Sequence, residues 1–204
     1  EIRLSLVGSE MCIRDSYYGV GKARLLTTRQ GLHTNAIYGF VTMLQKLLDQ
    51  EKPDAVCAAF DRREPTFRHK ADAAYKANRK GMPEELAEQM LPLKQVLDAM
   101  SVPCYELSGY EADDLIGTIS RKCEAAGWDC TIATGDRDSL QLVSETTTVL
   151  LATSAMGRSK TETMDLDAIH EKYGIEPKQL IEVKSLMGDT SDNIPGVKGI
   201  GEKS

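Results

Sequence analysis

Short, continuous apolar runs alternate with stretches of helical period along this chain. That alternation restricts its architecture more than any other feature. "DAVCAAF" (54–60), "VPCYEL" (102–107), "DCTIAT" (129–134) and "TTVLLAT" (147–153) each suit a buried strand. Thr34 is a predicted N-cap, followed by Ile37, Phe40, Val41, Leu44, Leu47 and Leu48 at helical spacing. "PEELAEQMLPLKQVLDAM" (83–100) reads as a helix that Pro92 must kink or split. A further helix runs to about Ala126, with Gly127 as its stop. Helical patterns then cover 165–173 and 177–187. Strands alternating with helices predict an α/β fold with a mostly parallel central sheet flanked by helices.

The apolar fraction, 41%, and the charged fraction, 27%, are those of an ordinary globular chain. No run approaches the ~18 apolar residues a membrane helix needs, and the N-terminus lacks the pattern of a signal peptide. The five cysteines are scattered and form no CxxC pair, which argues against a disulfide framework and a zinc site. A reduced, cytoplasmic chain is expected, and a monomer. The net charge of −6 argues against nucleic acid until its distribution is read. Residues 62–80, "RREPTFRHKADAAYKANRK", are locally +5, and the acids gather elsewhere beside glycine.

"GYEADDLIGTI" (109–119) places Glu111, Asp113 and Asp114 in the first turn of an otherwise apolar helix. Like charges this close repel. Asp61 follows the strand at 54–60, and Asp136 and Asp138 follow the strand at 129–134. In open parallel sheets, sites lie beyond the carboxyl ends of strands. Three separate loops therefore aim carboxylates at one edge, with Asp189 and Asp192 in a later loop able to fold over it. Each group alone has an ordinary explanation: a solvated turn, an acid on a helix dipole, an Asx-turn. The constellation is what shifts the reading. Oxygen ligands without Cys or His suit Mg²⁺ or Mn²⁺. Eight carboxylates fit two ions better than one, and paired ions clamp the attacking and leaving oxygens of phosphodiester hydrolysis.

"IPGVKGIG" (194–201) is the second informative motif. Gly196, Gly199 and Gly201 allow a tight hairpin whose N–H groups approach a phosphate, and Lys198 adds charge. In the basic segment, Tyr75 beside Lys76, Arg79 and Lys80 suggests an aromatic stacking platform among phosphate-binding cations. Trp128 and the histidines at 33, 69 and 170 read as structural or surface residues.

"FDRREPTFRH…YKANRKGMP", "GYEADDLIGT", "TGDRDSLQLV" and "LMGDTSDNIPGVKGIGEKS" resemble, in order, the motifs of the flap endonuclease family, in particular its 5′-nuclease domains of the bacterial DNA polymerase I type. "LLTTRQGLHTNAIYGFVTML" resembles that domain's early region. The likeness spans residues 17 to 204. It implies a two-metal, structure-selective nuclease acting on 5′ ends, nicks and 5′ flaps of DNA, in Okazaki-fragment processing and repair, within a parent chain that also carries a polymerase domain. By motif match Asp61, Glu111, Asp113, Asp114, Asp136, Asp138, Asp189 and Asp192 are the metal carboxylates. Lys76 and Arg79 match the arch cations near the scissile phosphate, with Arg68, Tyr75 and Lys80 as substrate contacts. Residues 188–201 match a helix–hairpin–helix-type loop that grips duplex backbone and in relatives can hold K⁺.

The implied domains are a nuclease domain over 17–176, including the arch at 62–82, and a hairpin element over 177–204. Residues 1–16, "EIRLSLVGSEMCIRDS", depart from the pattern. Such domains begin with a strand ending in Asp-Gly, whose Asp is a metal ligand. Here there is no Asp-Gly and no clean strand, and the segment is expected to be non-native. The rival readings are a related metal-dependent ribonuclease, and a DNA-structure-binding module whose catalysis is impaired.

Overall fold

The computed structural model describes residues 2–8, 13, 17, 26–79, 81–155 and 158–201. In chain order its elements are β1 (Arg3–Gly8), α1 (Asn35–Glu51), β2 (Ala55–Ala59), α2 (Phe67–Ala71), α3 (Glu84–Ala99), β3 (Cys104–Tyr105), α4 (Ala112–Ala125), β4 (Asp129–Thr134), a 3₁₀ turn (Arg137–Leu142), β5 (Thr147–Ala155), β6 (Arg158–Met164), α5 (Leu166–Tyr173), α6 (Gln179–Met187), and the short strands β7 (Gly188–Asp189) and β8 (Ile194–Pro195). The expected α/β fold is present. Six strands form one sheet in the order β3-β2-β1-β4-β5-β6. All pairs are parallel except β5–β6.

Alternation along the strands divides the core. Leu6, Ala59, Ile132 and Val149 face one side, against Ile116 and Cys123 of α4 and Ile169 of α5. Val7, Ala58, Ala133 and Leu150 face the other, against Phe40 and Leu44 of α1 and Leu86, Leu93 and Leu97 of α3. Both faces are covered, which is why these strands read as continuous apolar runs. Burying one leucine of this kind contributes about 1.5–3 kcal/mol.

Three points go beyond what the sequence established. The N-terminal segment does supply a strand: β1 lies at the centre of the sheet, paired with β2 and β4. Its residues 4–8 are all buried, and the Ser5 hydroxyl has no partner among the described residues. The apolar pair Leu6–Val7 and the slots between β2 and β4 outweigh that polar intrusion. Pro92 does not split its helix, because α3 runs unbroken from Glu84 to Ala99. Proline removes one donor and one hydrogen bond, but Leu86, Leu93 and Leu97 are packed in the core on both sides of it, and the helix continues through. Finally, β6 was not anticipated. It reads "RSKTETM", polar enough to pass for a loop, because it pairs at the sheet's edge.

The chain leaves β1 for β2 and β3 on one side, then crosses to β4 on the other. The β1/β4 boundary is therefore a topological switch point, where a crevice opens beyond the carboxyl ends of the strands.

Candidate active site

The carboxylates gather at that crevice. Asp61 follows β2, and its Oδ1 accepts a 2.7 Å hydrogen bond from the Ala112 N–H that opens α4. Glu111 is the N-cap of α4 and is only 8% exposed. It forms a reciprocal capping box with Asp114, whose Oδ2 accepts from the Glu111 N–H at 2.9 Å. Asp136 follows β4 and caps the 3₁₀ turn, accepting from the Asp138 N–H at 2.8 Å. Asp189 lies on β7 and Asp192 in the turn between β7 and β8; the Asp189 Oδ1 accepts from the Ser191 N–H and hydroxyl at 2.8 and 2.6 Å. A cavity of about 620 Å³ opens beside Asp113 and Asp114, with Arg68, Gly117, Arg121 and Asp138 also on its walls.

The chain's own cations reach into this acidic crevice. Arg68 holds Asp114 with two parallel hydrogen bonds, 2.8 and 2.7 Å. Lys76 Nζ donates to Glu111 Oε1 at 2.9 Å and lies 3.9 Å from Asp192. Arg79 pairs with Asp192. Lys184, from the last turn of α6, bridges Asp138 and Asp189. Among the described residues, no three acidic, His or Cys side chains are gathered at metal-coordinating distance. The carboxylates turn instead toward these cations.

The ionisation of the acids follows the pairing. The Arg68 hydrogen bonds hold Asp114 below the usual carboxylate range. Asp189 is also held low, because hydrogen bonds from Lys184 and Ser191 outweigh its burial. Asp113 goes the other way: crowding by the protein, then the charges of Asp136 and Asp61, push it up to about 7. Desolvation raises Asp136 as well. Carboxyls pushed upward beside other acids in a cleft are a mark of functional sites.

The basic segment is less free than its composition suggests. Lys76 N–H donates to Asp192 O at 2.9 Å, Asn78 Nδ2 to Thr190 O at 2.8 Å, and Asn193 Nδ2 to Ala74 O at 2.7 Å. The arch residues therefore sit on the 188–195 loop. Tyr75 corrects an expectation. It is 8% exposed, with its hydroxyl donating to Glu111 at 3.1 Å and to Asp192 at 3.2 Å. Its ring is packed away, so it offers no open face for a base. A buried tyrosine satisfies its hydroxyl, and the acid cluster is the nearest acceptor. Arg68 too is engaged with Asp114 rather than extended to solvent. Lys80 lies outside the described residues.

At the hairpin, Gly188 has φ +76°, and a Cβ there would lie 2.3 Å from the Gly196 nitrogen. A Cβ on Gly196 would lie 2.1 Å from the Met187 carbonyl oxygen. Only glycine allows these two backbones so close. Gly199 has φ +90°, and Lys198 beside it is exposed. Lys184, Asn78 and Asn193 were missed in the sequence. A lysine ending a helix just before "GD" is the one available signal, and it reads equally well as a favourable charge on the helix dipole.

Two family descriptions match the chain: "5'-3' exonuclease, N-terminal resolvase-like domain" over residues 3–174 and "5'-3' exonuclease, C-terminal SAM fold" over 175–204. The chain belongs to the 5′-3′ exonuclease family. DNA polymerase I of Bacillus caldotenax is 47% identical over 180 residues, 88% of this chain and 20% of that protein. DNA polymerase I of Synechocystis is 42% identical over 202 residues, 97% of this chain and 20% of that protein. The chain thus spans about a fifth of the length of these relatives. Among solved structures, bacteriophage T5 D15 protein co-crystallised with metal ions superposes with a TM-score of 0.73 at 23% identity, covering 98% of this chain and 71% of that one. The catalytic core of Rad2 with DNA superposes with a TM-score of 0.57 at 18% identity, covering all of this chain and 59% of that one. Both share the fold. No described helix is long and apolar enough to cross a membrane.

Proposed function

We propose that this chain is a structure-selective 5′-3′ exonuclease and 5′-flap endonuclease. Its substrate is DNA with 5′ ends, nicks or flaps, as arises in RNA-primer removal and repair. The observation that supports this reading is the crowding of acids from four separate stretches of chain near the switch point of the sheet, where Asp113 feels the charges of Asp136, Asp61 and Glu111, and Asp136 those of Asp138 and Asp192.

The donor set fits a hard divalent cation. It is all oxygen, and it places Asp113 against Asp61 and Asp136, so that charge there is costly until a cation enters. Asp61, Glu111, Asp113, Asp114, Asp136, Asp138, Asp189 and Asp192 would hold two ions, Mg²⁺ or Mn²⁺. When bound, such ions activate water and neutralise charge building on the phosphate. The chain's own residues have distinct work. Lys76 and Arg79, at the mouth of the crevice, position the scissile phosphate and balance its charge. The Gly196–Gly201 turn with Lys198 holds duplex backbone at a distance, and is the place where K⁺ would sit among backbone oxygens. Asp61 orients the first turn of α4 through its bond to Ala112.

Activity of the chain as written is weak on this reading. β1 ends in "LVG" at Gly8, and the sequence carries no Asp-Gly there, where the family motif has one. Position 8 faces α4, since a Cβ there would lie 3.2 Å from Ile116 Cδ1. Among the described residues, this strand brings no carboxylate to the side where the others gather. The test is single-turnover cleavage of a 5′-flap duplex with and without Mg²⁺. Slow, Mg²⁺-dependent cleavage with firm flap binding supports the proposal. Preference for RNA duplexes without a 5′ end would favour a ribonuclease instead.

A further inference from the structure

The burial of Tyr75 removes the aromatic surface that the sequence suggested for unpaired bases. The structure offers another. Phe67 and Tyr110 are 47% and 48% exposed, yet their rings touch, with centroids 5.7 Å apart and planes tilted by 56°. Their backbones are pinned together: the Phe67 N–H donates to Gly109 O at 2.9 Å, and Gly109 takes φ +83° to allow the turn. On the other side, α2 is fixed at its start by a capping box between Thr66 and His69. Neither ring is buried to stabilise the fold, although half-wet aromatic pairs waste apolar surface.

Their place gives them a use. Tyr110 immediately precedes Glu111. The Arg68 guanidinium lies 4.5 Å from the Phe67 ring centroid while its nitrogens hold Asp114. The rings are thus one side chain away from the acidic crevice. In the chain Arg63 precedes Phe67 by four residues and Lys70 follows it by three, both exposed, with the acid Glu64 between Arg63 and Phe67. Aromatic faces among cations, beside a site for a phosphodiester, match the chemistry of single-stranded nucleic acid: bases stack, phosphates pair.

We propose that Phe67 and Tyr110 form a stacking platform for an unpaired nucleobase of the strand whose phosphate enters the carboxylate crevice. The platform rests on the nuclease reading and adds to it a positioning site for the base next to the cut. Because the two rings are tilted rather than parallel, a base lying on one has its edge against the other. Stacking is tolerant of base identity, so the platform selects unpaired over paired strands and not one sequence over another.

The test uses the whole chain and a 5′-flap duplex carrying 2-aminopurine at the first unpaired nucleotide, without divalent ions so that no cleavage occurs. Fluorescence reports stacking, and anisotropy reports affinity. The unaltered chain should quench the probe several-fold. Phe67→Leu with Tyr110→Leu keeps apolar bulk without π faces; it should abolish quenching and weaken flap binding about tenfold, as expected for the loss of base–aromatic stacking. That loss should be the same at low and high salt, unlike the loss of a phosphate contact. Phe67→Tyr with Tyr110→Phe should behave like the unaltered chain. Binding without quenching by the unaltered chain, or full quenching by the leucine variant, would overturn the platform alone. Failure of the unaltered chain to bind any flap or duplex DNA would overturn the nuclease reading, and the platform with it.

Discussion

Arg68 and Asp114 form a two-pronged pair, 2.8 and 2.7 Å, between the basic arch and the acidic first turn of α4. Both side chains are partly in water, so screening reduces the net value of the pair. Its larger role is to keep Asp114 charged and pointed at the Glu111 N–H. Arg68→Ala should lower the melting free energy by about 1 kcal/mol. It should also let the arch swing away, seen as faster hydrogen exchange at residues 67–79. Unchanged exchange there would show that the 188–195 loop alone holds the arch.

Asp113→Asn tests the electrostatic load on the crevice. The Asp113 carboxyl is pushed up to about 7, above its unfolded value of 3.8. A raised acid stabilises the fold at pH below its unfolded value and loses that contribution as pH climbs through 7. The metal-free chain should therefore lose stability from this group between about pH 4 and pH 7. Asp113→Asn should flatten the profile and exceed the unaltered chain above pH 7. Protein surrounds Asp113 closely enough to desolvate it, yet the residue keeps substantial contact with water, so screening holds the gain to about 1 kcal/mol rather than the full shift. The same variant should bind Mn²⁺ more weakly; unaltered affinity by titration calorimetry would remove Asp113 from the ligand set.

The arch and the hairpin divide their labour. Lys76 and Arg79 sit on Glu111 and Asp192 at the crevice, whereas Lys198 stands exposed on the turn. Lys76→Ala and Arg79→Ala should impair cleavage of a bound flap far more than binding of plain duplex. Lys198→Ala should weaken duplex binding, and the deficit should fade as salt rises. Equal loss of duplex affinity in all three variants contradicts this division.

Replacing residues 1–16 by a strand ending in Asp-Gly and continuing through an Arg should raise flap cleavage by orders of magnitude. The new carboxylate would join Asp61 and Asp113 from the central strand, and misplacement of a catalytic group by about 1 Å alone can cost ~10²-fold. An apolar residue at position 5 in that strand should also stabilise the chain by about 1–3 kcal/mol, since the present Ser5 hydroxyl is buried without a partner among the described residues. Rapid cleavage by the unaltered chain, equal to that of the replacement, would show that the β1 acid is dispensable.

Much of this protein was settled by its sequence alone. Fully covered parallel strands need continuous apolar runs, so β2, β4 and β5 declared themselves, as did helices α1 and α4 by their period. Ordered motifs also singled out acids that follow β2 and β4 and open α4, because their positions past strand ends can be read from the sequence order. Three things waited for the tertiary structure. The strand at Arg3–Gly8 is held by partners distant in sequence, Ala55–Ala59 and Asp129–Ala133, and six residues carry too little pattern to announce that. The fate of Tyr75 depended on which acids lay within reach of its hydroxyl, and local sequence does not specify a contact 36 or 117 positions away. The balance of charge was decided last. Composition shows a +5 segment and separate acidic clusters, but only folding brings Arg68, Lys76, Arg79 and Lys184 onto Asp114, Glu111, Asp192, Asp138 and Asp189. Coulomb attraction at close range selects those pairs once the sheet has placed their backbones.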